Sequence, residues 1–262
     1  CVKGKVKRFV FASSSSVYGN SEILPVTEDL PLNPISPYAL QKKTAEDFCS
    51  LYSSLYELDT VCLRFFTVYG PLQTGDNPYA TVICAWLDAV KNKTELKLFG
   101  DGSQSRDFCY IDNVVDAIVK SVYHEGRFMG ESFNVSCGET TSCVDILDWF
   151  IQRYHLDKSC YTKYPFRAGD VRCTYGSIDK IKEELNYSPK IDIWKGLDRE
   201  QDELTELKGL IRELTLKTSQ RNETDTYSSP LAEEVRIGLN NLKERLEEVD
   251  PGTMGELKID RM

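Results

Sequence analysis

The sequence predicts an α/β fold, built on parallel strands that are joined through helices. Two short apolar runs, residues 7–12 and 60–68, are typical of buried strands. Between them, apolar residues recur at spacings of three and four over residues 38–58, which predicts an amphipathic helix. A strand, a helix and a second strand in this order favour parallel pairing of the two strands.

The same kinds of pattern predict the elements that follow. In chain order these are a helix over 79–93, strands over 95–99 and 108–111, a helix over 112–123, a strand over 132–135, a helix over 142–154 and a last helix over 177–186. Asp112 and Ser142 are residue types that cap helix N-termini, and we expect each to cap its helix. The elements after the first strand–helix–strand unit are therefore also of the α/β kind.

The last part of the chain has a different pattern. From about residue 198, apolar residues recur at spacings of three and four in two runs, which predicts a C-terminal extension of two amphipathic helices. Two arrangements remain open. The helices lie on the domain or on one another, or they mediate self-association.

The composition excludes several classes of function. The chain has 262 residues, and 41% of them are hydrophobic, which is enough for a sizeable core. A net charge of −9 argues against binding to nucleic acid or membranes, and no apolar run is long enough for a transmembrane helix. Nine cysteines are scattered without a C-x-x-C pair, and only two histidines occur. We therefore expect reduced thiols in a cytoplasmic protein, and no metal site.

The candidate catalytic residues are Ser14, Tyr38 and Lys42. Tyr38 and Lys42 are four residues apart on the predicted helix, so they share one face of it. An ammonium group at that spacing stabilises a tyrosinate and lowers the pKa of the phenol from its free value of about 10. Such a tyrosine can take a proton from a substrate hydroxyl near neutral pH. The serine run at 13–16 provides a second group that can hydrogen-bond to the same hydroxyl.

Five motifs occur in an order that resembles one family. They are the strand and serine run at 9–16, the Val-Tyr-Gly triplet at 17–19, and the segments 36–42, 63–71 and 99–108. Together they resemble the extended short-chain dehydrogenase/reductase superfamily, specifically its NAD-dependent nucleotide-sugar epimerases and dehydratases. Within that group the sequence is most similar to the UDP-N-acetylhexosamine 4-epimerases. The resemblance extends from about residue 6 to residue 197.

The resemblance implies that the first strands form the second half of a Rossmann-type parallel sheet and that NAD is the cofactor. The implied cofactor-binding residues are Ala12, Ser13, Tyr38, Lys42 and Phe65. No G-x-x-G-x-x-G or G-x-G-x-x-G turn, which holds the pyrophosphate in such folds, occurs in the sequence. Because this turn and an initial methionine are absent, we expect the chain to be a fragment of a longer protein.

Three regions follow from the resemblance. Residues 1–75 correspond to the C-terminal part of the NAD-binding Rossmann domain, interleaved with later segments. Residues 76–197 correspond mainly to the nucleotide-sugar domain, and residues 198–262 form the helical tail. Epimerases of this kind commonly dimerise through a four-helix bundle that the Tyr38 helix would join, so we also expect a homodimer.

Ser15 and Ser16 indicate which reaction the resemblance implies. In the 4,6-dehydratases these two positions hold an acidic pair, and decarboxylating relatives hold a glutamate at the second. Neither serine can act as that acid or base at neutral pH. The resemblance therefore implies 4-epimerisation of a UDP-sugar through a 4-keto intermediate. A non-catalytic family member, or a protein whose function lies in its C-terminal helices, remains an alternative.

The resemblance also implies where the substrate binds. Arg106 and Arg167 match two arginines that bind the diphosphate, a task that suits the forked guanidinium group. Thr174 falls where a bulky tyrosine closes the pocket of epimerases limited to plain hexoses, which favours UDP-GlcNAc and UDP-GalNAc, with UDP-Glc and UDP-Gal as further substrates. Thr67 is more typical of UDP-glucuronate 4-epimerases, so that substrate is the alternative. The full implied set of substrate-binding residues is Ser14, Tyr38, Thr67, Val82, Phe99, Arg106, Arg167, Asp170 and Thr174.

Overall fold

The computed structural model describes residues 1–75, 80–167 and 171–200. These residues divide into two compact units. The first contains Cys1–Gly70 and Lys97–Gly196, and the second contains the described parts of Pro71–Leu96 and of the segment from Leu197 onward. The sequence-based division at residues 75 and 197 stays a prediction. The helical tail lies outside the described residues from residue 201.

The described elements follow one another closely along the chain. In order they are β1 (Arg8–Ser14), a short 3-10 helix (Ser15–Tyr18), α1 (Pro37–Tyr56), β2 (Asp59–Phe65), β3 (Thr67–Tyr69), α2 (Val82–Lys91), β4 (Leu96–Phe99), β5 (Ser105–Arg106), β6 (Phe108–Tyr110), α3 (Ile111–Tyr123), β7 (Glu131–Val135), β8 (Thr141–Ser142), α4 (Cys143–Arg153), β9 (Tyr161–Tyr164), β10 (Cys173–Thr174) and α5 (Asp179–Leu185). Of the described helices, none is long and apolar enough to cross a membrane.

The main sheet consists of three parallel strands in the order β1–β2–β7. Side chains alternate between its two faces along β2. Val61 and Leu63 join the apolar core formed with α3 and α5, whereas Thr60 and Arg64 bond to residues of α1. The sheet is therefore covered by helices on both faces, and the predicted α/β class with parallel pairing is confirmed. Among the described strands, β1 is an edge strand of this sheet.

The predicted strand over residues 60–68 is two strands. β2 ends at Phe65, and β3 begins at Thr67 in a different sheet, where it pairs with β6. The backbone N–H of Phe66 donates to the carbonyl of Val135, but that of Thr67 donates to the carbonyl of Asp107. The apolar run is continuous because the side chains of both strands are buried or half-buried. The hydrophobic pattern therefore does not show where the chain passes from one sheet to the other.

Three smaller sheets complete the described strands. β3 pairs with β6 in parallel, β4 pairs with β9, and β5 lies between β10 and β8. The short strands β5 and β6 flank Asp107, which makes this residue the point where two of the small sheets meet.

Of the two predicted helix caps, the one at Ser142 is confirmed and the one at Asp112 is wrong. Ser36 caps α1 by accepting from the N–H of Ala39, and Ser142 forms a capping box with Asp145 at the start of α4. The predicted cap at Asp112 is wrong, because α3 already begins at Ile111 and has Tyr110 as its N-cap. β6 continues directly into α3, so Asp112 lies in the first turn, where its charge still complements the helix dipole.

A buried ion pair joins the amino ends of β1 and β2. Arg8 Nε donates to Asp59 Oδ2 at 2.7 Å, and these two residues form the first register pair of the strands. The Arg8 guanidinium also donates to carbonyls at the end of α3, including those of Ser121 and His124. Burial opposes ionisation of Asp59, but hydrogen bonds from Arg8 and from the backbone of Phe128 hold its pKa below its usual range.

Candidate active site

The carboxyl ends of the three parallel strands form one edge of the main sheet. Ser14 is paired with Phe65, and Phe65 is paired with Val135, in the last register positions. Ligands of open parallel sheets bind outside this edge, where the chain leaves the strands for loops. Two of the residues implied by sequence, Ser14 and Phe65, are therefore neighbours at the expected edge.

α1 brings Tyr38 and Lys42 to the same edge. Lys42 Nζ donates to the carbonyl oxygen of Ala12 at 2.8 Å, and it lies 5.6 Å from the ring centroid of Tyr38 and 5.2 Å from that of Phe11. Tyr38 lies in the first turn of α1 and is 49% exposed. The tyrosine, the lysine and the strand that ends in Ser14 therefore form one accessible cluster.

The serine run divides into structural and available hydroxyls. Ser13 is buried, and its Oγ donates to a carboxylate oxygen of Glu46 on α1. Ser14 Oγ accepts from the N–H of Ser16 at 3.2 Å and caps the 3-10 helix. A hydroxyl has two acceptor positions and one donor, so this bond is compatible with a second one to a ligand. Any contact of Ser13 with a cofactor would have to come from its backbone.

Three of the implied substrate residues lie around Asp107. The N–H of Thr67 donates to the carbonyl of Asp107 at 3.1 Å, and the N–H of Asp107 donates to the carbonyl of Thr174 at 2.9 Å. Thr174 and Arg106 are register partners in the pairing of β10 with β5. Arg106 Nη1 donates to the carbonyl of Ser105 at 2.8 Å, which holds the guanidinium group against the backbone.

The carboxylate of Asp107 is a buried junction. It accepts from the backbone N–H groups of Cys137 at 2.8 Å, Gly138 at 3.2 Å and Gly176 at 3.4 Å. Burial raises the pKa of Asp107 to about 7, although these N–H groups and the Ser136 hydroxyl oppose the increase. Asp107 therefore holds two loops against the strands that carry Arg106 and Thr174.

Phe99 and Arg167 form a separate contact pair. The guanidinium carbon of Arg167 lies 3.9 Å from the ring centroid of Phe99, and Phe99 packs against Tyr164 with ring centroids 5.5 Å apart. A guanidinium stacked on an aromatic ring keeps its N–H groups directed outward at the ring's edge. The structure thus brings together two residues that were implied separately by two motifs.

All of these site assignments stay predictions, and two of the residues are not among those described above. Val82 begins α2 in the second unit, and Asp170 lies outside the described residues. Within residues 1–75, 80–167 and 171–200, no group of three or more His, Cys, Asp or Glu residues is arranged to hold a metal ion.

The sequence analysis missed three residues that shape this region. Glu46 lies four residues after Lys42, Arg64 interrupts an apolar strand, and Asp107 follows Arg106 directly. All three are buried. A charged residue inside a buried strand, such as Arg64, was a signal that could have been used, because it needs a partner.

Comparison with known proteins assigns the chain to a family. The sequence model of the NAD dependent epimerase/dehydratase family matches residues 1–136, and the chain belongs to this family. An uncharacterized UDP-glucose epimerase of Bacillus subtilis, YtcB, is 36% identical over 200 residues, which are 76% of this chain and 61% of that protein.

Solved structures agree with this assignment. A UDP-N-acetylglucosamine 4-epimerase from Methanobrevibacter ruminantium, in complex with UDP-N-acetylmuramic acid, is 30% identical with a TM-score of 0.71, over 76% of this chain and 63% of that one. A UDP-glucuronic acid 4-epimerase from Bacillus cereus, in complex with UDP-glucuronic acid and NAD, is 32% identical with a TM-score of 0.71, over 79% and 64%. The chain spans 58–63% of the length of the first curated relatives that it matches.

The junction at Asp107 generates a prediction about pH. The pKa of this carboxyl is higher in the folded chain than its value of about 3.9 in the unfolded chain. Its contribution to stability is therefore complete below about pH 4, is lost as the pH rises toward 7, and is constant above that. We expect the free energy of unfolding to fall by about 1 kcal/mol per pH unit in that window from this group alone.

Urea unfolding at pH 5, 6, 7 and 8 measures this slope. Asp107→Asn keeps a carbonyl acceptor but does not titrate, so the difference in slope between wild type and variant isolates the carboxyl. Equal slopes for the two proteins would contradict a raised pKa at Asp107.

Proposed function

We propose that the protein to which this chain belongs is an NAD-dependent UDP-sugar 4-epimerase. The observation that carries the proposal is the cluster at the carboxyl edge of the main sheet. There Lys42 lies beside Tyr38 on α1 and donates to the carbonyl of Ala12. Ala12 is on β1, the strand that ends in Ser14. A base, a cation and a hydroxyl at one edge are the groups that reversible oxidation of a carbinol requires.

Each of these side chains has a defined task in the proposal. Tyr38 accepts the proton of the sugar O4 and later returns it. Ser14 donates a hydrogen bond to the same oxygen while the charge on it changes. The ammonium group of Lys42 stabilises the phenolate of Tyr38. NAD, when bound, would supply the hydride chemistry at C4 of the sugar.

The residues present fit one end of the cofactor. Lys42 offers three donors and Tyr38 a hydroxyl, which suits the vicinal hydroxyl groups of a ribose. Ala12 is exposed and Phe65 lies beside Ser14, so a flat ring could lie along the ends of β1 and β2. The sequence contains no glycine-rich pyrophosphate turn of either form. This chain's residues therefore provide the nicotinamide–ribose end of the site.

The other implied residues support a nucleoside diphosphate ligand. The guanidinium group of Arg106 is held by the carbonyl of Ser105, and that of Arg167 lies over the ring of Phe99. Guanidinium groups suit a diphosphate, because each can contact its oxygens at two points. Thr174, the register partner of Arg106, is small enough to leave space for a C2 acetamido group.

We favour UDP-GlcNAc and UDP-GalNAc as substrates, and Thr174 is the reason. Thr67, which is bonded to Asp107, supports UDP-glucuronate as the second candidate. The solved relatives include a UDP-N-acetylglucosamine 4-epimerase and a UDP-glucuronic acid 4-epimerase, so both candidates have precedent at similar identity. The scattered cysteines, of which Cys49, Cys62 and Cys109 are buried and unpaired, support a reducing cytoplasmic location.

The role of Tyr38 can be tested by removing its hydroxyl. With NAD and UDP-GlcNAc, UDP-glucose or UDP-glucuronate supplied separately, we expect the longer protein that contains this chain to form the 4-epimer of at least one sugar. Tyr38→Phe should lower kcat by about 10²–10⁴-fold, because the proton acceptor is lost. Tyr56→Phe, at an exposed tyrosine at the end of the same helix, is the matched control. Separation of the epimers by chromatography measures turnover, and full activity in Tyr38→Phe would refute the assignment.

Substrate choice can be tested at Thr174. Thr174→Tyr should abolish conversion of UDP-GlcNAc and retain conversion of UDP-glucose, because an overfilled pocket cannot relax around an acetamido group. Thr162→Tyr, at an exposed position of β9, controls for the added ring. If Thr174→Tyr still converts UDP-GlcNAc at the wild-type rate, the proposed gate lies elsewhere.

We also propose that the chain forms homodimers through α1. One side of this helix exposes a row of large apolar side chains that includes Phe48, Leu51 and Leu55. A contiguous exposed apolar surface on a helix is typical of an association site.

Sedimentation velocity can test this assembly. Leu55→Glu should convert the dimer to a monomer, because it places a charge on the row at a side chain that is 63% exposed. Val119→Glu on α3, where the side chain is 47% exposed, is the control and should leave the assembly unchanged. A dimer that persists in Leu55→Glu would exclude this face as the interface.

A further inference from the structure

A layer of polar side chains crosses the main sheet one position before its carboxyl edge. Ser13 on β1 pairs in register with Arg64 on β2, and Arg64 pairs with Asn134 on β7. All three residues are buried, with exposures of 3%, 4% and 0%. The preceding pair, Leu63 and Phe133, is apolar. Buried polar groups of this kind are uncommon, and each of them needs a hydrogen-bond partner.

Glu46 on α1 is the partner of this layer on the helix side. Arg64 donates through Nη2 to Glu46 Oε2 at 2.7 Å and through Nε to Glu46 Oε1 at 3.0 Å. The same Oε1 accepts from the hydroxyl of Ser13. One buried carboxylate therefore joins β1, β2 and α1 through charge-assisted hydrogen bonds with a fixed geometry.

Tyr18 and Asn134 extend the network to the 3-10 helix and β7. Arg64 Nη1 donates to the Tyr18 hydroxyl at 2.8 Å, and that hydroxyl donates to Asn134 Oδ1 at 2.7 Å. Burial raises the pKa of Tyr18 to about 12, so the hydroxyl keeps its proton and can make both bonds. The 3-10 helix begins directly after Ser14.

The network holds α1, which carries Tyr38 and Lys42, against the end of β1, which carries Ser14. Glu46 lies four residues after Lys42 and eight after Tyr38 on α1, so the three side chains share one face of the helix. Ser13 is the residue before Ser14. The bonds from Glu46 to Ser13 and to Arg64 therefore fix the rotation and height of α1 relative to the strand end that carries Ser14.

Stability alone is a weak reason for such a network. Removing two charges from water costs several kcal/mol, and replacing buried ion pairs by apolar side chains is often neutral or stabilising. Burial opposes the charge on Arg64, but hydrogen bonds to Glu46 and the nearby Tyr18 and Glu46 keep the pKa of Arg64 above its usual range, so Arg64 keeps its charge. A directional bond specifies orientation, which apolar packing does less strictly.

We propose that Glu46 and Arg64 are positioning residues. They set the angle at which α1 presents Tyr38 and Lys42 to Ser14, and neither of them touches the substrate. The effect on turnover rests on the function proposed above, whereas the effect on the placement of Lys42 does not.

The test replaces the pair by apolar side chains of similar size, Glu46→Met with Arg64→Leu. We expect this double variant to fold with thermal stability close to that of wild type, because removal of the buried charges offsets the loss of a partner for the Ser13 hydroxyl. Its kcat should fall by about 10²-fold with a smaller change in KM, because a displacement of about 1 Å at reacting groups has that effect.

A chemical readout follows Lys42 without any turnover. Lys42 Nζ is held by the carbonyl of Ala12, whereas Lys43 Nζ bonds only to Asp47 on the helix surface among the contacts described. We expect the rate of reductive methylation of Lys42, divided by that of Lys43 and measured by mass spectrometry, to rise several-fold in the double variant. The ratio removes any general effect of helix fraying, since both lysines lie on α1.

The ion pair at the other end of the strands is the matched control. Arg8 and Asp59 also form a buried pair between β1 and β2, six residues before Ser14 and thus about 20 Å from it. Arg8→Met with Asp59→Asn should leave both the labelling ratio and kcat unchanged below its own melting temperature. A merely structural role for the pair at Glu46 would make the two double variants behave alike.

The outcomes separate the two proposals. An unchanged labelling ratio and kcat in a folded Glu46→Met, Arg64→Leu variant would overturn the positioning role. If that variant does not fold, Ser13→Ala, which removes only the bond from β1 to Glu46, should still raise the labelling ratio, and an unchanged ratio would overturn the role. If wild type forms no epimer but the labelling ratio rises as expected, the catalytic proposal fails and the positioning of Lys42 stands.

Discussion

The parallel register between β1 and β2 is the constraint on which the rest of the site depends. It places Ser14 beside Phe65 at the carboxyl edge and Ser13 beside Arg64 one layer deeper. Because side chains alternate along a strand, a shift of one residue would exchange the faces of Ser13 and Ser14. Ser13 would then lose Glu46, and Ser14 would turn into the interior. The register is thus specified by buried polar bonds as well as by apolar packing.

Two buried polar junctions support the two halves of the candidate site. The first, at Glu46 and Arg64, joins α1 to the main sheet, and the second, at Asp107, joins two loops to the small sheets. In the low dielectric of a protein interior, such bonds are strong when satisfied and costly when broken. Exposed side chains of the proposed site, Tyr38 among them, can therefore occupy defined positions on a rigid framework.

Local pattern predicted the helices, the parallel pairing and the placement of Tyr38 with Lys42, because spacing along a helix or strand fixes these. It did not predict the break between β2 and β3, since Phe66 and Thr67 continue an apolar run while their N–H groups bond to different partners. The contacts of Thr174 with Arg106 and of Phe99 with Arg167 join residues more than sixty positions apart. Such pairs depend on the tertiary fold, so local pattern does not predict them. The resemblance to a family implied their members only one by one.

The position of β1 at the border of the described part of the main sheet leaves a row of main-chain groups open to a further strand. Within the part of the chain that the structure describes, the outer N–H and C=O groups of Arg8–Ser14 face no neighbouring strand. Such a row can recruit an extended segment through main-chain bonds alone, with little regard to its side chains. A strand added beside β1 would extend the main sheet beyond the part that the structure describes.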